Sequence, residues 1–286
     1  MIRCREIAIA DLDAIADLLA RGFPIRSRDY WIDGLRRLAV REIPDSFPRF
    51  GYMLEHDRMP VGALLLIHTT RNDDGRTSIR CNLSSWYVEP AFRSFAPMLT
   101  KVAQRHEDVT YVNISPAQWT WRTIEAQGFR RYCGGLFFSL PAMSRPAKAM
   151  RVEVVGQDAQ GLGGLPEADA ALLARHAAYG CLSLVCRAAD GRAFPFVLQP
   201  MRVARMRLPA MQMIYCPDVA DYIVCAGAIG RFLLWRGRLS IALDANGPVR
   251  GLVGFYREPI GCKYFKGPHC PRLADLSDSE LVIYGP

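Results

Sequence analysis

The chain has 286 residues, a formal net charge of +8 and a half-hydrophobic composition; that is room for two ordinary domains with a core each, and no apolar run reaches membrane-spanning length. Its nine cysteines are odd in number, scattered and without a C-x-x-C pair, which argues against a disulfide framework and for small core residues in a reducing, cytoplasmic setting. Lysine stands only at 101, 148, 263 and 266, so the positive balance is arginine in ones and twos, with no basic block of the kind that marks a nucleic-acid surface.

The opening MIRCREIAIADLD has no apolar core followed by a cleavage site, so no export is expected. Ile2 to Ile9 reads as a strand. Asp11 is placed as the cap of a helix whose apolar face is Leu12, Ile15, Ala16, Leu18 and Leu19, and Ser27 caps a second with Tyr30, Trp31, Leu35 and Leu38. Phe50 to Glu55 and Val61 to Thr70 form a hairpin, and Asn72 to Gly75 is the next turn. Ile79 to Val88 is a strand stopped by Pro90, which cannot donate to a ladder. Pro97 suits the first turn of a helix carrying Met98, Leu99, Val102 and Ala103. Val109 to Ile114 is a strand, Ser115-Pro116 a helix start, and Gly128 the left-handed residue that ends that helix before Phe129.

Ser139 to Lys148 is turn-rich and reads as a linker. Beyond it the order begins again, with a strand at Met150 to Val155, a helix at Glu167 to Tyr179, and a hairpin within Leu182 to Pro200. MQMIYCPD echoes SSWYVEPA and LSIALDANG echoes VTYVNISPA. Pro90 to Phe129 is 39 positions and Pro217 to Phe255 is 38, and a Gly-Phe pair closes both intervals. The halves also end alike, on LFFSLP and LVIYGP, both read as strands. The expected organisation is therefore two tandem copies, 1–144 and 150–286, the second short of one helix and carrying an insertion at about 257–280.

The strand-helix-strand-helix-strand order of the first half, with Val88, Pro90, Phe92, Arg93, Leu99, Asn113, Gly128 and Phe129 at their places, resembles the acyl-CoA-binding half of the GCN5-related N-acetyltransferases. The resemblance implies an α+β fold with two tandem domains of that type, each a mixed, mostly antiparallel sheet flanked by helices. It implies an acyl group moved from acetyl-CoA or another acyl-CoA to an amine or hydroxyl on a small-molecule acceptor, with no metal. It puts the donor pyrophosphate at the turn Arg93, Ser94, Phe95, Ala96, where the family has a glycine-rich cradle and this chain has Pro97 and Met98. The tyrosine that protonates the thiolate in the family falls on Ile124, and no carboxylate stands between Ile79 and Val88, where the family often keeps a glutamate.

Tyr87 and Asp244 remain as candidate catalytic groups. The segment CKYFKGPHC gathers Lys263, Tyr264 and Lys266, a composition suited to an anionic, partly apolar ligand, with both lysines taken as exposed cations. Two other readings stay open: a catalytically inactive binding or scaffold protein, and an aminoacyl-tRNA-dependent transferase, since some of those pair the same fold.

Overall fold

The computed structural model describes residues 1–73, 76–145, 150–158, 162–201 and 209–285, so the expected turn at 72–75 and linker at 139–148 lie partly outside the described residues. In chain order the first unit opens with β1 Ile2–Glu6, α1 Leu12–Gly22, α2 Arg28–Val40, β2 Gly51–His56, β3 Met59–Asp73, β4 Arg76–Val88, α3 Ala96–Ala103, β5 Val109–Asn113, α4 Trp121–Ala126 and β6 Arg130–Cys133. There follow β7 Gly135–Ser139, β8 Arg151–Val154, α5 Glu167–Ala178, β9 Leu182–Arg187, β10 Ala193–Met201, β11 Ala210–Tyr215, α6 Val219–Leu234, β12 Ser240–Ala245, β13 Gly254–Arg257, β14 Lys263–Lys266 and α7 Glu280–Ile283.

The chain divides into two compact units, Met1–Arg130 with Tyr264–Cys270 and Asp278–Tyr284, and Arg131–Lys263 with Pro271–Ser277 and Gly285–Pro286. The first unit's sheet runs β1-β2-β3-β4-β5-β14-β6 and the second's β13-β7-β12-β11-β10-β9-β8. Both are mixed: β4 pairs in parallel with β5 and β11 with β12, while β1-β2, β2-β3, β3-β4, β5-β14, β7-β12, β7-β13, β8-β9, β9-β10 and β10-β11 are antiparallel. This partition differs from a cut between 144 and 150 in β7, which is a strand of the second sheet, and in β14, which is a strand of the first.

β14 is the four-residue run Lys263, Tyr264, Phe265, Lys266. Its first three residues are buried, and Tyr264, Phe265 and Lys266 pair with Asn113, Val112 and Tyr111. The segment read as an insertion thus contains the strand that covers β5. LVIYGP, read as the closing strand, instead forms the one-turn α7 and its exit. Ile283 and Tyr284 enter the first unit's core against Ile15, Leu18 and Leu19 of α1 and Leu35 and Leu38 of α2, a burial worth roughly 1.5–3 kcal/mol per large side chain.

Local signals fared unevenly. Ser27 caps α2 by accepting from the Tyr30 amide at 3.2 Å. Asp11 caps no amide of α1; its carboxylate accepts from the Ala8 amide and from Arg5, and so closes the 3-10 turn at Ile9–Asp11. Ser115 starts no helix. A 3-10 turn at Gln118–Thr120 precedes α4, and the Ser115 hydroxyl is used elsewhere.

In the second unit, α6 lies on the sheet with Tyr222, Cys225, Ala226, Ile229 and Leu233 in the core. Gly230 is required there, since a Cβ would come within 2.1 Å of the Ala142 amide nitrogen. In the first unit a Cβ on Gly34 would meet the Tyr284 ring at 2.2 Å.

Two outcomes are expected. Gly34→Ala raises intrinsic helix propensity by about 1 kcal/mol, yet we expect a net loss of about 1–3 kcal/mol because the buried ring must move; an urea titration showing a gain would place Tyr284 elsewhere. A fragment of residues 1–144 lacks β14 and the α7 turn, and we expect no cooperative thermal transition by circular dichroism; a sharp melt would show that β5 needs no cover.

Candidate active site

In the first unit β4 and β5 pair in parallel from Ile79↔Val109 to Asn82↔Val112 and then separate. Just past that point β4 carries a bulge: Leu65 faces Ser84 but Ala63 faces Tyr87, and Ser85 takes a left-handed φ of 53°. Bulges of this kind re-aim side chains and are over-represented beside active sites.

The opening holds a carboxylate. The Glu280 amide donates to Asn82 Oδ1 at 2.8 Å, and the Ser115 hydroxyl donates to Glu280 Oε1 at 2.5 Å. Asn82 also donates from Nδ2 to the Leu83 carbonyl at 2.9 Å and lies 3.5 Å from the Val112 carbonyl, so the last paired residue of β4 positions the tail. Burial pushes the Glu280 carboxyl above the ordinary glutamate range, and the Ser115 and Ser84 hydroxyls pull it part of the way back. Among the described residues no lysine, arginine or histidine pairs with it.

Rings surround this end of α2 and α7. Trp31 and Tyr284 meet at 5.8 Å between centroids, Tyr30 and Trp31 at 5.1 Å, Tyr30 and Tyr284 at 6.3 Å, Phe23 and Trp31 at 5.4 Å, and Phe23 and Tyr87 at 6.1 Å. Tyr87, a predicted catalytic residue, is therefore a half-buried member of this ring cluster. It lies over Gly22, where a Cβ would come within 2.4 Å of its ring.

The predicted donor turn is a 3-10 turn, Pro90–Phe95, running into α3. Arg93, Ser94 and Phe95 are exposed and Ala96 half-buried. The Ala96 amide is spent on the Arg93 carbonyl, and Pro97 has none to give, which leaves the Arg93 guanidinium as the strongest phosphate-binding group of the turn.

Asp244 and Lys263 come together, but not as exposed groups. Asp244 stands on β12 and Lys263 begins β14, both in the second unit; Nζ donates to Asp244 Oδ1 at 2.6 Å and to the Gly261 carbonyl at 3.0 Å, with both side chains at most 1% exposed. The expectation of an exposed Lys263 is corrected here: its ammonium is turned inward onto the buried Asp244 carboxylate. Asp244 Oδ2 is buried without a partner. Burial pushes the Asp244 carboxyl up and the Lys263 ammonium pulls it back. Tyr264 donates to Glu125 at 3.1 Å and Lys266 to Gln104 at 2.9 Å, both within the first unit. Among the described residues no three His, Cys, Asp or Glu side chains form a metal group, and no helix is long and apolar enough to cross a membrane.

Sequence reasoning missed Glu280, Asn82, Ser84 and Ser115 as one site. A tail segment meeting a strand 198 positions earlier leaves no local signal.

No family model and no curated protein sequence matches the chain. Solved structures do. A GCN5-related N-acetyltransferase from Anabaena variabilis matches at TM-score 0.57 and 8% identity, over 93% of this chain and 72% of that one. One from Kribbella flavida matches at TM-score 0.58 and 13% identity, over 93% and 70%. The fold is that of the GCN5-related N-acetyltransferases. In GCN5-related terms each unit carries the parallel strand pair that opens, and the two openings differ. In the second unit the free edge of β11 is taken by backbone: the Cys216 amide donates to the Ala274 carbonyl at 3.1 Å, the Leu276 amide to the Ile214 carbonyl at 2.7 Å, and Tyr215 bridges Asp275. Arg272 fixes that segment, stacking on Tyr215 at 5.5 Å and donating to the Cys216 and Pro217 carbonyls.

The Asp244–Lys263 pair gives a paired prediction. Lys263→Ala leaves a buried carboxylate without its cation and is expected to cost about 3–5 kcal/mol, whereas Asp244→Leu with Lys263→Met is expected to come within about 1 kcal/mol of the parent or above it. Chemical denaturation of the three chains decides; a single substitution with no effect would place Lys263 in water.

Proposed function

We propose that the first unit transfers an acyl group from a thioester such as acetyl-CoA to an amine or hydroxyl of a small acceptor, with Glu280 as the general base. The carrying observation is the buried Glu280 carboxylate at the point where β4 and β5 separate beside the bulge. The fold shared with solved acetyltransferases supports the reading, as does the second unit's opening, whose β11 edge is already paired.

In the step, the acceptor's nitrogen or oxygen attacks the thioester carbonyl, its proton passes to Glu280, the C–S bond breaks and the thiolate leaves. The Ser115 and Ser84 hydroxyls orient the carboxylate. Arg93, with the Ser94 amide, would meet the donor's pyrophosphate. Tyr87, Asp244, Lys263, Tyr264 and Lys266 are assigned no bond-making step: Tyr87 belongs to the acceptor wall, Asp244 and Lys263 neutralise each other, and Tyr264 and Lys266 hold β14 to Glu125 and Gln104. A cytosolic location belongs to the same proposal and rests on nine free cysteines.

One specific observation favours an inactive binding protein: Ile124, at the position of the family's thiolate-protonating tyrosine, is buried and apolar. Release of free thiol from acetyl-CoA in the presence of mixed amines separates the two. The expected result is turnover that Glu280→Gln lowers by about 10²–10⁴-fold, with an acid limb of kcat/KM above the ordinary glutamate pKa of about 4.3. A carboxyl whose folded pKa is raised stabilises the fold below its unfolded pKa, and that contribution is lost as pH rises through the folded value. Glu280→Gln is therefore expected to melt no lower than the parent at pH 8. Absence of turnover with every amine and thioester tried would leave the binding reading.

A further inference from the structure

The two buried carboxylates are balanced in opposite ways. Asp244 faces a tethered primary ammonium, Lys263 Nζ at 2.6 Å. The Glu280 carboxylate faces only the Ser115 and Ser84 hydroxyls, with no cation pair among the described residues, while its backbone amide is held by Asn82. The basic groups of neighbouring elements are engaged elsewhere: Arg37 of α2 donates to the Ile283 carbonyl at 3.0 Å, and Arg26 lies over the Tyr30 ring at 4.3 Å.

The ring cluster adds a second observation. Trp31 and Tyr284 are buried, while Phe23, Tyr30 and Tyr87 are half-buried and reach solvent. Arg26, which is exposed, already shows that a cation settles on the Tyr30 face.

We propose that the first unit's acceptor is an amine carried on an aromatic or other apolar body, its ammonium taken by Glu280 and its body by Phe23, Tyr30, Trp31, Tyr87 and Tyr284. This rests on the acyl-transfer reading for the reaction but not for the binding. A polyhydroxylated amine would leave its hydroxyls facing rings, and a neutral alcohol would leave Glu280 without a counter-charge.

The experiment measures binding to the full chain at pH 8 by calorimetry, without any thioester, using 2-phenylethylamine, 2-phenylethanol and glucosamine, and then acetyl transfer to the two amines. Phenylethylamine is expected to bind at least about tenfold tighter than either comparison compound. Glu280→Gln is expected to remove about tenfold or more of that affinity while leaving phenylethanol unchanged, and Trp31→Phe, which keeps an aromatic though smaller ring, to weaken phenylethylamine less than Glu280→Gln does. No binding of phenylethylamine, equal or tighter binding of glucosamine, or a Glu280→Gln chain that binds phenylethylamine as the parent does overturns the assignment. Preferred binding of phenylethylamine without acetylation keeps the site and overturns acyl transfer; acetylation of glucosamine without preference for phenylethylamine keeps acyl transfer and overturns the acceptor class.

Discussion

A strand edge must be paired, covered or blunted, and the edge of β5 is the constraint from which the first unit follows. Its cover is β14, drawn from the far side of the second repeat, with Tyr264, Phe265 and Lys266 against Asn113, Val112 and Tyr111. The following chain then brings Asp278–Tyr284 to the place where β4 and β5 part. Without that connection Glu280 has no route to Asn82 and Ser115, and α2 has no ring to set against Gly34. In the second unit β7 has the corresponding place, lying between β12 and β13. Each sheet is thus completed by a strand whose position in the sequence is out of order with its neighbours.

The carboxylates show how one physical problem takes a structural and a functional solution. Taking a charge out of water costs several kcal/mol unless a partner is supplied. For Asp244 the partner is covalently part of the chain, and the pair is sealed. For Glu280 the chain supplies only dipoles, the Ser115 and Ser84 hydroxyls, which moderate the cost without cancelling it. A fold under selection for stability alone has little reason to keep such a group where a glutamine would accept the same serine hydrogen bond.

Much of the fold was legible from local chemistry. The Ser27 cap, the apolar faces of the first two helices, Pro90 and Gly128 each state a backbone requirement that neighbours cannot override, and the repeat was visible because it lies in spacing. What failed was pairing. KYFK is only four residues long, shows no polar-apolar alternation and stands beside Gly and Pro, so it reads equally as loop. LVIYGP has strand composition, yet its backbone closes a helical turn because Ile283 and Tyr284 gain more from the core of α1 and α2 than from a ladder. Ser115-Pro116 has the form of a cap, but a buried carboxylate outcompeted the helix amides for that hydroxyl. The candidate base was illegible for the same reason: its partners are set by tertiary contacts, and nothing in the sequence near Ser84 or Ser115 calls for a glutamate in the tail.

The out-of-order strand also has a meaning in time. Translation proceeds at about 5–20 residues per second, so the roughly 150 residues between β5 and β14 take on the order of 8–30 s to appear. Through that interval the nascent first sheet presents an open hydrogen-bonding edge beside the rings of α2, far longer than the microseconds in which a hairpin closes. Vectorial synthesis therefore cannot deliver this protein one finished half at a time. The edge of β5 stays unpaired until β14 has been made, so the first sheet is completed only near the end of the second repeat's synthesis.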